Sequence, residues 1–160
     1  MINLTNEKYN SKNLAIIQKI PTPIKPLILD KKSGKITLAY FEQKSTVDYV
    51  GVVQGIPICF DAKETSQKSF PLKNIHQHQI DFMEKYEYQR GISFLLIRFS
   101  LLDEIYCLPF KQLKEYWSKS LEGGRKSIPY DSFRKELLIK NKNGFIVHYL
   151  ESINTILEEN

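Results

Sequence analysis

The chain has 160 residues, 42% of them hydrophobic and 12% aromatic, which suits one ordinary domain with a core of its own. No apolar run reaches the roughly 18 residues that a membrane span needs, and the opening MINLTNEKYNSKNLAII lacks the basic start, apolar stretch and cleavage site of a secretory signal, so the expected location is the cytoplasm. A formal net charge of +5 fits an anionic partner without requiring one, since many lysine-rich proteins bind nothing anionic.

The polar opening to about residue 13 reads as a short helix, followed by LAIIQK, an extended apolar run that Pro21 and Pro23 interrupt. PLILDKKSGKITLAYF reads as two β segments around residues 30–34, a longer hairpin turn with glycine at its end and lysines at its tip. STVDYVGVVQGIPICFDAKETS is a second hairpin, turning at Gln54 and Gly55. Over FPLKNIHQHQIDFMEKYEYQRG, the residues Ile75, Phe82, Met83 and Tyr86 recur at helical spacing, and Gly91 supplies the stop. ISFLLIRF and EIYCLPF read as strands joined through residues 100–103. KQLKEYWSKSL and VHYLESINTILEEN read as amphipathic helices, with SLEGGRKSIPYDS as the loop between helical patterns. Strands grouped in the middle with helices around them predict an α/β fold, a mixed central β-sheet flanked by helices. Cys59 and Cys107 lie in apolar strand-like runs with no CxxC spacing, and read as small buried hydrophobes.

The second hairpin carries acids where apolar residues are expected. With Gln54 and Gly55 at the turn, Asp48 faces Asp61 and Thr46 faces Lys63, and the period of two puts all four on one side of the sheet. Two carboxylates about 5 Å apart repel by roughly 3 kcal/mol at an effective dielectric of 20. A divalent cation reverses that sign, because carboxylate and hydroxyl oxygens are the hard ligands of Mg²⁺ or Mn²⁺. The other reading, two solvated acids on the open face of an edge strand, stands beside it, and Pro57 favours an edge position or a bulge that would shift the register. Gln79 falls with Ile75 and Met83 on the apolar side of the following helix, where an amide needs partners. A backbone carbonyl or the acidic cluster would supply them. His76 and His78, two apart on a helix, diverge by about 200° and carry no zinc motif. Trp117, four residues after Leu113, reads as core.

STVDYVGV, FDAKET and FPLKNIHQHQ, preceded by IPTPIKP and followed by GRKSI, resemble in order and spacing the RecU family of Holliday-junction resolvases, within the PD-(D/E)XK nuclease superfamily. The acid, gap, acid-x-Lys motif is common by chance; the long blocks around it, which cover nearly the whole chain, carry the resemblance. It implies a single nuclease domain over residues 1–160, restriction-endonuclease-like, with a protruding β-hairpin stalk over residues 21–40. By position, Thr46, Asp48, Asp61 and Gln79 match the family's metal ligands for Mg²⁺ or Mn²⁺, with Asp61 standing where the family often has Glu. Lys63 matches the lysine that stabilises the transition state, alongside catalytic Asp48 and Asp61. Lys31, Lys32 and Lys35 on the stalk, and Arg125 and Lys126 in the GRKS block, match DNA-facing positions. The implied partners are branched four-way DNA, a second copy of the chain in a homodimer, and a recombinase. The chain begins about where the family's first helix is half complete, which keeps a second expectation open: a junction-binding recombination accessory protein with weak or no cleavage. A restriction-type nuclease of the same superfamily is a third.

Overall fold

The structure is a computed structural model that describes residues 1–41 and 46–159. The elements in chain order are α1 (Ile2–Ser11), β1 (Ile16–Lys19), β2 (Ile24–Asp30), β3 (Lys35–Phe41), β4 (Tyr49–Val53), β5 (Ile56–Thr65), β6 (Ser69–Pro71), α2 (Gln77–Tyr88), β7 (Ile92–Phe99), β8 (Glu104–Pro109), α3 (Phe110–Leu121), β9 (Ser127–Pro129), β10 (Leu138–Ile139) and α4 (Leu150–Glu158). Six strands form one mixed sheet in the order β1-β4-β5-β7-β8-β10, in which β5 and β7 are parallel and the other pairs antiparallel. Helices cover both faces, as the sequence predicts. Among the described residues no helix is long and apolar enough to cross a membrane.

Alternation along β5 and β7 divides the core. Cys59, Leu95 and Ile97 face α2 and α3 and pack with Ile80, Met83 and Leu113. Ile58, Phe60, Phe94 and Leu96 face the opposite way, toward α1 and α4, and pack with Tyr9, Tyr149 and Ile153. Each such side chain contributes about 1.5–3 kcal/mol when fully buried. Cys59 and Cys107 are buried free thiols on opposite faces, and burial pushes the Cys59 thiol up to about 12.

The β4–β5 hairpin follows the predicted register. Tyr49 pairs with Phe60 and Val53 with Ile56 around Gln54 and Gly55, both at positive φ (49° and 87°), the signature of a type I′ turn. Pro57 introduces no bulge: it pairs with Val52 in an end of β5 that β7 does not reach, so β7 asks no hydrogen bond of it. Tyr49, Phe60 and Phe94 stack across three strands, with centroids 4.7 and 4.8 Å apart and ring planes within 12°. This aromatic row on the α1/α4 face holds the register that sets Asp48 beside Asp61.

Three expectations change. The helix after the hairpin starts at Gln77, because residues 69–71 extend as β6 and 72–74 make a 3₁₀ turn, so Ile75 precedes the helix instead of joining its apolar stripe. His76 is the N-cap and its backbone is extended, which lets its ring stack on His78 (5.5 Å, 10°) where two helical residues would diverge. Part of the expected loop over residues 120–132 is strand β9, which pairs with β6 as a small ribbon.

β2 and β3 form a two-stranded hairpin separate from the main sheet, with register shifts between Pro26 and Leu29. Its turn is tied by Asp30, which accepts from Lys32 N–H (3.0 Å) and from the Ser33 hydroxyl (2.5 Å), and Gly34 closes it at φ 67°. Leu27, Ile28, Leu29, Leu38 and Tyr40 are all about half exposed on it.

Candidate active site

The antiparallel ladder ends at Tyr49 and Phe60, so Asp48 and Asp61 are not a ladder pair, and Thr46 is not laddered to Lys63. The chain bends before Tyr49 and the two acids clasp instead. The backbone N–H of Asp48 donates to Asp61 Oδ1 (2.5 Å), and the N–H of Ala62 donates to Asp48 Oδ2 (3.2 Å). Edge strand β1 supports the bend from behind, since Ile20 N–H donates to the carbonyl of Asp48 (2.8 Å).

Asp61 is fully buried. Its Oδ2 meets the Lys63 ammonium at 3.0 Å and accepts a hydrogen bond from the side-chain amide of Gln79. Lys63 lies two residues along the same strand face, with 21% of its side chain exposed, so its charge reaches both the buried acid and solvent. Burial raises the Asp61 carboxyl above the ordinary aspartate range; the Lys63 charge opposes that rise and the Asp48 charge adds to it.

Gln79 is buried on the first turn of α2. Its Oε1 accepts from the N–H of His76 (3.1 Å), the reach-back half of a capping box, while its Nε2 faces Asp61. Thr46 is half-buried, two residues before Asp48. Thr46, Asp48, Asp61, Lys63 and Gln79 therefore come from the bend before β4, from β5 and from the start of α2. Lys31 and Lys32 are exposed in the β2–β3 turn and Lys35 is exposed at the start of β3. Arg125 and Lys126 are exposed just before β9; Arg125 bonds Ser127 (3.1 Å), and Lys126 reaches the carbonyl of Ser120 (2.8 Å).

The donor set fits a small hard cation. Among the described residues no three or more of His, Cys, Asp and Glu cluster as a metal site, which leaves the two carboxylates of the clasp. Mg²⁺ and Mn²⁺ suit that set, because such ions bind through one or two carboxylates and keep several waters, whereas zinc asks for nitrogen or sulfur ligands. Oδ1 of each acid retains lone-pair capacity beyond its described bonds, and a buried carboxylate gains most from added positive charge.

A groove of about 320 Å³ runs beside Lys63, lined in part by Asn3, Tyr49, Glu64 and Arg98. Arg98 pairs with Glu64 (3.5 Å) and Asp103 (2.7 Å). Sequence reading misses this pair, since Arg98 meets Glu64 only through the parallel pairing of β5 with β7. A charged residue near the end of the otherwise apolar ISFLLIRF run was the available signal.

A family model described as "Recombination protein U", RecU, matches residues 1–155. The chain is 49% identical over 139 residues to a Holliday junction resolvase RecU of Oceanobacillus iheyensis, covering 84% of this chain and 71% of that protein. It is 48% identical over 132 residues to one of Geobacillus kaustophilus (80% and 66%) and 44% identical over 162 residues to one of Lactococcus lactis subsp. cremoris (98% and 75%). With an acid clasp, a lysine on the buried acid and a family match across nearly its whole length, the chain belongs to the RecU family.

Proposed function

We propose that the chain is a structure-selective endodeoxyribonuclease that resolves Holliday junctions by cation-dependent phosphodiester hydrolysis, in DNA recombination and repair in the cytoplasm. The observation that carries this reading is the Asp48–Asp61 clasp with Lys63 held on Asp61. Proteins 44–49% identical to this chain bear the name Holliday junction resolvase RecU.

Mg²⁺ or Mn²⁺, when bound, supplies Lewis-acid activation of water and neutralises charge on the scissile phosphate. Asp48 and Asp61 would hold the ion, with the Thr46 hydroxyl as a further oxygen donor. Lys63, held beside Asp61, offers its ammonium to the negative charge that develops on phosphate oxygens, in a place where little water screens it. Lys31, Lys32 and Lys35 on the β2–β3 hairpin, with Arg125 and Lys126, would meet backbone phosphates, which orient the DNA without reading its bases. A homodimer gives two such sites, one for each of two symmetry-related strands. The half-exposed apolar residues of the β2–β3 hairpin favour burial against another surface.

The test is a labelled four-way junction incubated with the chain across a Mg²⁺ or Mn²⁺ titration. Paired symmetric nicks that vanish with Asp48→Ala, while the junction still shifts in a gel, are expected. A shift with no nicks at any cation concentration, or cutting of linear duplex at a fixed sequence, overturns the proposal.

A further inference from the structure

The ribbon of β6 and β9 lies on the same face of the main sheet as Asp61 and Lys63. Its buried residues Phe70, Leu72 and Ile128 pack in the core cluster that holds Val47 and Cys59, and alternation along β5 puts Asp61 and Lys63 on the side of Cys59. The ribbon is charged in one sense only. Residues 65–80 and 123–130, which contain both strands and their flanks, carry Lys68, Lys73, Arg125 and Lys126 and no aspartate or glutamate, in a chain whose whole net charge is +5.

One end gathers that charge. Pro71 pairs with Ser127, and the N–H of Leu72 donates to the carbonyl of Lys126 (3.0 Å), so the two segments stay joined up to Lys73 and Arg125. Both side chains are exposed. Arg125 bonds the hydroxyl of Ser127, and among the described residues Lys73 has no ion-pair partner. Arg98, Lys114, Arg134 and Lys142, by contrast, each meet a carboxylate. Two cations on adjacent segments with no acid between them suit a repeated anion such as a DNA backbone. The distance suits it too. Lys73 precedes Gln79, which bonds Asp61, by six residues, at most about 22 Å of extended chain, or about six base-pair steps of roughly 3.4 Å. We propose that Lys73 is a phosphate-contact residue, which with Arg125 holds the backbone of the DNA arm leading to the scissile phosphate. The proposal rests on the nuclease reading for the identity of this partner. Lys73 positions the arm and touches no reacting atom, so it acts on binding and leaves the chemical step alone.

The test measures binding of a labelled four-way junction by the full chain, in EDTA, by fluorescence anisotropy across a salt series. The variants are Lys73→Ala, Lys73→Arg and Lys85→Ala. Lys85, exposed in the last turn of α2, reports what losing any one positive charge does. Lys73→Ala is expected to weaken binding about 5- to 10-fold near 0.1 M salt and to make the plot of log affinity against log salt shallower by about 0.9. Its melting temperature stays at the parent's, as does the rate of single-turnover nicking at saturating protein, to within about twofold. Lys73→Arg keeps the parent's affinity and slope, and Lys85→Ala changes affinity by less than about twofold. An unchanged slope for Lys73→Ala, or equal losses from Lys73→Ala and Lys85→Ala, overturns the contact. The two readings fail separately: a chain that nicks junctions and binds them as well without Lys73 keeps its activity and loses this contact, whereas one that never nicks, yet binds junctions through Lys73, keeps the contact and loses the activity.

Discussion

Asp61 carries a carboxylate into a place that no water touches, and its protonation therefore costs or contributes stability. Its folded pKa is raised above the unfolded value, so its contribution is fully present below the unfolded pKa and is lost as pH rises through the folded one. In EDTA, Asp61→Asn should raise the unfolding midpoint at about pH 8 and leave it nearly unchanged at about pH 4, read by thermal melts at both pH values. Lys63→Met removes the ammonium at the buried acid. Single-turnover nicking should fall by about 10²-fold or more, while junction affinity in gel shifts stays close to the parent's. Asp48, Asp61 and Lys63 were legible as one group from the hairpin and the period of two along β5, but the clasp between the acids was not, because a bend before Tyr49 replaces the expected ladder pair. The atom that Gln79 presents was not, since an amide's orientation depends on what each end meets in the folded chain.

Among the elements, the β4–β5 hairpin decides whether the acids meet, and β1 decides whether they stay. Gly51 faces Ile17 across the β1–β4 ladder, and a Cβ at that position would lie 2.2 Å from the carbonyl oxygen of Ile16. Gly51→Val should cost about 2 kcal/mol or more in urea unfolding, because backbone must move to admit it. It should also weaken Mn²⁺ binding measured by calorimetry, since β1 holds the Asp48 carbonyl. Hairpin register was readable from turn chemistry alone: Gln54-Gly55 accepts positive φ and fixes every pair that follows. The start of α2 was not, because Ile75 has the right spacing and the wrong backbone, drawn into extension by the pairing of β6 with β9.

At the scale of the whole molecule, a hairpin set apart from the main sheet carries three exposed positively charged lysines, and Arg125 and Lys126 lie exposed just before strand β9. Replacing Lys31, Lys32 and Lys35 together by alanine should make the plot of log affinity for a junction against log salt shallower by about 2 to 3, at roughly 0.9 per lost phosphate contact. Nicking of bound junction should change less than affinity does. Arg125→Ala should weaken DNA binding with little effect on stability, whereas Lys126→Ala should also lower the melting temperature. The Lys126 ammonium bonds the Ser120 carbonyl in the last turn of α3, where a cation also meets the negative end of the helix dipole.

The sequence by itself determined what short windows encode: the alternation that makes strands, the turn at Gln54 and Gly55, the lysine-tipped hairpin, and the acid and lysine, Asp61 and Lys63, that share one side of β5. Tertiary structure alone decided the parallel pairing of β5 with β7, the meeting of Arg98 with Glu64, the β6–β9 ribbon, and the double engagement of Gln79. The physical reason is range. A turn or an alternating strand lowers its free energy through neighbours a few residues away, whereas these four features exist only once distant segments have closed against one another, and no local pattern specifies which segments those are.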